Sequence, residues 1–291
     1  MPELPEVETV ANGVHDRVRG HRILHVTLGT HPEPLKSPAA LIEETLTNAR
    51  IDRVHRVGKT IVFDLSQDAL KGPGFSPADP APPTHGAFAP GGNHSQLTIH
   101  LGMTGRLLVS QSNVDVPKHT HAILALDDTR EIRFVDPRRF GRIAVLQTPY
   151  TGPGKEPLTI SASDFIQLFK GRKTPIKAAL LNQSILHGVG NIYADESLFR
   201  AGIRPRRHAT RLTRAELTRL HTALQTVLQH AIQLGGSSVS DYVDADGIRG
   251  FFQLEHRVYL RTGKPCLVCQ TPIQKITLGG RSTHFCPICQ K

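Results

Sequence analysis

Near the start of the chain, apolar residues fall at Val7, Val10, Val14 and Val18, spacings of three and four that place them on one face of a helix. Pro5 suits a first helical position and Gly20 a stop, which predicts a short amphipathic helix over 5–19. Beyond it the apolar period becomes two. Strands are predicted over Ile23–Leu28, Lys59–Leu65, Leu97–Met103, Leu107–Ser110, Ala122–Leu126, Glu131–Val135 and Arg142–Leu146, with Asp127-Asp128-Thr129 as a hairpin turn. Many short strands in succession favour an antiparallel sandwich or barrel over a parallel sheet.

Helical spacing returns in the second half. Thr174 reads as an N-cap with Pro175 at the first helical position, leading into IKAALLNQSIL. The glycine-rich turn HGVGN separates this from a second helix, IYADESLFRAG, that stops at Gly202. A third opens with Thr213 and Glu216 in capping-box register, carries Leu217, Leu220, Leu224, Val227, Leu228 and Ala231 on one face, and ends at Gly235-Gly236. Two stretches fit neither period. Residues 71–95 hold six Pro and five Gly between two predicted strands, which predicts a long mobile loop. Residues 148–157 read as a linker. The expected organisation is a sandwich domain over 1–150, a helical domain over 151–253 and a small cysteine-bearing module over 254–291.

Composition narrows the classes. Thirty-five Lys+Arg against 25 Asp+Glu give a net charge of +10, which favours an acidic partner, nucleic acid first among them. A hydrophobic content of 38% is too high for a wholly disordered chain. No apolar run is long enough to span a membrane, and MPELPEVETV, with three Glu and no basic cluster, is not a secretory signal.

All four cysteines lie in the last 26 residues, as Cys266-x2-Cys269 and Cys286-x2-Cys289 with sixteen residues between the pairs. Two such knuckles match tetrahedral zinc. With four thiolate ligands no coordination position is open, so one structural Zn2+ is expected, in a reducing compartment. Its binding energy, roughly 10–16 kcal/mol in comparable peptides, supplies the folding energy that so small a module lacks. Between the knuckles Gly279-Gly280-Arg281-Ser282 reads as a tight turn with Arg281 at its tip, either solvated or presented to a phosphate or base.

Pro2 follows an initiator Met that is normally removed before so small a residue, leaving a secondary amine beside Glu3 and Glu6. An α-amine titrates near 7.7–8.0, so a useful fraction is an unprotonated nucleophile at neutral pH, with carboxylates nearby to move protons. The same residues also fit an ordinary acidic first turn that complements the helix dipole.

Four motifs occur together and in order: MPELPEVET at the start, DPRRFG at 136–141, GVGNIYADESLFRAGI at 188–203, and the terminal four-cysteine module. In this combination the chain closely resembles the bacterial formamidopyrimidine-DNA glycosylases over nearly its whole length, 71–95 excepted. The resemblance implies an α+β multidomain fold: an N-terminal helix and two-sheet antiparallel β-sandwich, then a helix–two-turn–helix domain with a β-hairpin zinc finger. It implies release of oxidised purines from double-stranded DNA, followed by β,δ-elimination. Carried over residue by residue, Pro2 is the nucleophile, Glu3 the acid/base at the sugar, Glu6 a second carboxylate of the motif and Lys59 the catalytic lysine. Arg281 joins this set and also contacts phosphate, as do Lys177 and the turn residue Asn191. Met103, Arg138 and Phe140 fill the space left by the extruded nucleotide. Such an enzyme must take its nucleotide out of the stack, and a thioether, a guanidinium and a ring each suit the hole that remains.

The resemblance further implies a monomer acting in the cytoplasm. The related endonuclease VIII group prefers oxidised pyrimidines; Leu4, Arg138 and Phe140 favour the purine-directed branch. Pro2, Glu3 and Lys59 argue against a non-catalytic DNA-binding protein, and the closed cysteine site against a zinc hydrolase. Residues 237–253 are expected to include the loop over the damaged base, with contacts that do not transfer. The arginines between Arg200 and Arg214 read as partly backbone-tracking and partly solvated.

Overall fold

The computed structural model describes residues 1–67, 94–239 and 242–291. The loop expected at 71–95 lies outside the described residues as far as position 93. Its last two residues, His94 and Ser95, instead begin a strand.

Helix α1 (Leu4–Val18) buries Val7, Val10, Val14 and Val18 completely, as the spacing predicts. Such burial contributes about 1.5–3 kcal/mol for each aliphatic side chain. The helix starts at Leu4, with Glu3 in the N-cap position and Pro5 at the second helical residue. Two four-stranded antiparallel sheets follow. One has the order β1-β6-β7-β5, from β1 (Ile23–Leu28), β5 (Arg106–Gln111), β6 (Thr120–Leu126) and β7 (Arg130–Val135). The other has the order β2-β3-β4-β8, from β2 (Arg50–Val57), β3 (Thr60–Ser66), β4 (His94–His100) and β8 (Arg142–Leu146). Their inner faces meet in a core that includes Phe63, Leu97, Ile132 and Phe134.

Strand β4 ends at His100, so Leu101–Met103 form a turn in which the Gly105 amide donates to Leu101 O at 2.8 Å. The strand pattern had missed β2 for a physical reason. A register shift between Ile51 and Arg53 leaves the buried residues Ile51 and Val54 three apart, which hides the alternation. Helix α2 (Ala39–Leu46) was also unforeseen.

The second half packs α3 (Ala162–Phe169), α4 (Ile176–Leu181), α5 (Asn191–Arg200) and α6 (Arg214–Gln233) around Phe165, Phe169, Tyr193, Leu220 and Leu224. Helix α3 has a local start signal of its own: Ser161 caps it by accepting from Asp164 N at 3.1 Å, and Phe165 and Phe169 share a buried face. Pro175 occupies the cap position of α4 rather than its first turn, and that helix stops at Leu181. The Thr213–Glu216 capping box and the left-handed Gly235-Gly236 stop bound α6 as expected. A terminal hairpin joins β9 (Gln274–Leu278) to β10 (Arg281–Phe285).

The two halves exchange anchors. Leu4 packs in the helical core, while Tyr242 and Ala245 from beyond α6 pack in the sandwich core. Among the described residues no helix is long and apolar enough to cross a membrane.

Candidate active site

A cleft of about 660 Å³ opens between the halves. Pro2, Glu3, Glu6, Lys59, Met103, Asn191 and Arg281 all line it, brought together from α1, the β2–β3 turn, the β4–β5 turn, the start of α5 and the terminal hairpin.

The glycine-rich turn exists to receive the N-terminus. Gly188, in the left-handed region at φ +92°, accepts Leu4 N through its carbonyl at 3.0 Å. A Cβ on Gly190 would collide with the Glu3 carboxylate. With that space free, Glu3 Oε1 accepts from Ile192 N at 3.1 Å and Oε2 from Tyr193 N at 3.4 Å. A carboxylate from the first domain thus satisfies the open amides at the start of α5. Gly190 holds the N-cap position, and Asn191 is the first helical residue.

Burial raises the Glu3 carboxyl from 4.5 to about 7, against the pull of the nearby Lys59 ammonium. Burial also lowers Lys59, with Glu3 pushing it back up and the Arg281 charge adding to the depression. Near neutrality the site therefore holds a carboxyl that exists in both protonation states beside an amine made easier to deprotonate, the pairing that acid/base work at a sugar requires.

Glu6 is fully enclosed and bonded on both oxygens. Oε2 accepts from Glu3 N at 2.7 Å, and Oε1 accepts from Ser237 N at 2.7 Å and from the Tyr193 hydroxyl. Its geometry is that of a positioning residue. It holds the peptide next to Pro2 against α5 and the segment after α6. Lys59 follows Gly58, which is left-handed at φ +63°. Arg56 fixes that turn by donating to Gly58 O at 3.0 Å while it binds Glu156 at 2.9 and 3.0 Å and Glu8 at 2.5 Å.

Met103 lies on one loop, at the cleft, and Arg138 and Phe140 on the loop beside it, which is not among the cleft's lining. A Cβ on Gly102 would lie 2.6 Å from the Phe140–Gly141 peptide, so the loops touch backbone to backbone. Buried Asp136 ties them together, accepting from Thr104 Oγ1 at 2.6 Å, Arg138 N at 3.2 Å and Gly141 N at 2.7 Å. The Arg138 guanidinium sits 4.8 Å over the Phe140 ring. Met103 is 42% and Phe140 53% exposed. Large apolar side chains left this open, on loops held this firmly, are available to a partner.

Lys177 departs from expectation. Its side chain is wholly buried, and its ammonium meets Asp195 at 2.7 Å, Ser282 O at 2.8 Å and Thr283 Oγ1 at 2.9 Å. No donor faces the cleft, so direct phosphate contact by this residue does not fit the geometry. Part of the arginine stretch is likewise structural: Arg207 pairs with Glu216 at 2.6 Å, and Arg204 donates to Pro287 O at 2.9 Å. Asp136, Tyr193 and Ser237 lie in the DPRRFG and GVGNIYADESLFRAGI motifs and the 237–253 segment, but their roles, and that of Arg56, are not legible there: Arg56 meets Glu8 and Glu156, and Tyr193 and Ser237 meet Glu6, all far along the chain.

The Sγ atoms of Cys266, Cys269, Cys286 and Cys289 all lie within 4.8 Å of one another. The pairs Cys269–Cys286 and Cys266–Cys289 are 3.4 and 3.9 Å apart, too long for a disulfide and close to the roughly 3.8 Å edge of a ZnS4 tetrahedron. Val268 N and Cys289 N point at sulfur at 3.5 and 3.4 Å, as amides do toward thiolates. The four residues form a site for one structural zinc.

A sandwich and a helix–two-turn–helix module closing on a carboxylate and lysine cleft, with a cysteine finger at its rim, define the helix–two-turn–helix class of DNA-processing proteins. Three family matches follow the chain in order: the formamidopyrimidine-DNA glycosylase N-terminal domain over residues 1–143, its H2TH domain over 153–243, and the zinc finger found in FPG and IleRS over 263–291. The formamidopyrimidine-DNA glycosylase of Solibacter usitatus is 43% identical over 301 residues, covering 100% of both chains. The MutM (FPG) protein of Thermus thermophilus is similar at TM-score 0.80 and 37% identity, covering 99% of this chain and 98% of that one. A Lactococcus lactis FPG mutant, solved in complex with Fapy-dG-containing DNA, is similar at TM-score 0.83 and 29% identity over 100% of both chains. The chain belongs to the formamidopyrimidine-DNA glycosylase family.

Proposed function

We infer that the cleft is the active site of a bifunctional base-excision repair enzyme, which removes oxidised purines such as 8-oxoguanine and formamidopyrimidines from duplex DNA and then cuts the strand. The observation that carries this reading is the convergence of Pro2, Glu3 and Lys59 on one cleft, with the Glu3 carboxyl raised to about 7. Once Met1 is removed, the Pro2 nitrogen bonds to C1′ as the glycosidic electrons leave with the base, and the N–H proton that the attacking amine sheds passes to the departing base. Protonated Glu3 supplies the proton that O4′ needs as the sugar opens. The resulting iminium is cationic without further protonation, so it draws electrons from C2′–H and permits β-elimination of the 3′ phosphate. The 5′ phosphate leaves in the second, δ, elimination. Water as nucleophile would release the base but offers no such sink.

Met103, Arg138 and Phe140 support the extruded state, and Arg281 and Asn191 hold phosphates beside the lesion. Zinc takes no part in the chemistry; it shapes the finger that carries Arg281. We read the chain as acting alone, as a monomer in the cytoplasm, with domain divisions near residues 150 and 253.

Borohydride trapping on 8-oxoguanine duplex, followed by peptide mapping, tests the assignment. The adduct is expected on the N-terminal peptide, and an uncleaved N-terminal extension abolishes it. An adduct on Lys59 would overturn the nucleophile. Faster release from 5-hydroxycytosine than from 8-oxoguanine duplex would overturn the purine preference.

A further inference from the structure

We propose that Lys177 is a positioning residue for Arg281, acting with Asp195 as a clamp that fixes the finger strand behind it. The proposal rests on the reading that Arg281 binds a DNA phosphate. Arg281 begins β10, directly after Gly279 and Gly280, both left-handed, at φ +56° and +73°. Neither glycine has a heavy atom within 4 Å of the place a Cβ would occupy, so the turn has no packing of its own to set the direction of Arg281. The next three residues are all gripped from the helical domain. Lys177 donates to Ser282 O at 2.8 Å and to Thr283 Oγ1 at 2.9 Å, and Asp195 Oδ2 accepts from His284 N at 2.9 Å.

The grip is rigid because Lys177 and Asp195 are both fully buried and joined at 2.7 Å. The ammonium spends two of its donors on Ser282 O and Thr283 Oγ1, and the Asp195 carboxylate 2.7 Å away balances its charge. Buried pairs of this kind add little net stability over an apolar pair, but they are directional and costly to half-remove. Strand β10 is thus pinned twice, by this clamp at its start and by the zinc ligand Cys286 just past its end. Zinc alone would leave Arg281 at the far end of a short strand.

The test is the salt dependence of damaged-duplex binding, with zinc content and melting curves as folding controls. Arg281→Ala is expected to lower the slope of log K against log salt by about 0.9, the loss of one phosphate contact. The pair Lys177→Met/Asp195→Asn leaves the net charge unchanged and is expected to retain zinc. It should lower the slope by the same about 0.9, and adding Arg281→Ala to it should lower the slope no further. Thr283→Val, which creates no unpaired charge, provides a milder version and should weaken binding about threefold or more, an effect that disappears in the Arg281→Ala background.

Additive slopes would show that Lys177 meets phosphate itself and overturn the clamp. An unchanged slope in the Lys177→Met/Asp195→Asn pair would overturn it too. No slope change in Arg281→Ala would instead sink the underlying reading of Arg281, and the clamp with it.

Discussion

Glu3 and Ile192 stand 189 positions apart in the chain, yet Glu3 Oε1 accepts the Ile192 amide at 3.1 Å. This bond fastens the N-terminal segment to the first turn of α5, so the candidate nucleophile and the helix–two-turn–helix module are set relative to each other by the carboxylate to which the proposed mechanism gives the acid/base role. Burial there raises its pKa from 4.5 to about 7. A raised carboxyl holds its proton more tightly when folded, so its contribution is most favourable below about 4.5 and is lost as pH climbs to about 7. Glu3→Gln removes this dependence. Between pH 4 and pH 8 the unfolding free energy of the variant should gain on the parent by up to about 3 kcal/mol. Chemical denaturation at both pH values measures it, and parallel pH profiles would refute it.

Gly190→Ala addresses the close approach in the opposite way. The backbone at this position is extended, so alanine is conformationally allowed, but its Cβ would meet the Glu3 carboxylate. Displacing an acid/base group by about 1 Å costs on the order of a hundredfold in rate. Single-turnover base release should fall by about that factor while zinc content and duplex affinity change little. A variant with full activity would mean that Glu3 need not sit where it does.

Phe140→Ala should slow excision from 8-oxoguanine duplex about tenfold or more and leave cleavage at a preformed abasic site almost untouched. Unstacking a base costs a few kcal/mol, and an abasic sugar has none to unstack. Asp136→Asn should mimic it, because Asp136 organises both loops that carry Phe140 and Met103. Equal losses on the two substrates would point to a folding defect instead.

Cys269→Ser should release zinc, lower the melting temperature and weaken damaged-duplex binding, with a smaller loss of turnover at saturating enzyme. The apolar cluster at the finger is only Val258, Ile273 and two of the cysteines, packed on Phe199 of α5, so metal binding must supply much of the finger's folding energy. Elemental analysis that finds full zinc in the variant would contradict the ligand assignment.

Local signals in the sequence determined much of this protein. The valine period wrote α1, the alternating runs wrote seven of the ten strands among the described residues in some form, the Thr213–Glu216 pair marked the start of α6, and the cysteine spacing specified a closed zinc site. Each depends on residues a few positions apart, within one helical turn, one pleat or one knuckle. Tertiary structure alone decided the rest. The bulge in β2 shifted its register and erased its alternation, so the strand that leads to Lys59 became visible only when paired with β3. Glu6 reads as a catalytic carboxylate in the sequence, but folding commits both its oxygens to Glu3, Tyr193 and Ser237. Lys177 reads as a phosphate contact through the resemblance, but folding encloses it with Asp195 behind the finger. Whether a charged side chain meets solvent, substrate or a buried partner depends on what lies opposite it in space. Those opposing groups come from segments scores of residues away, which no local period encodes.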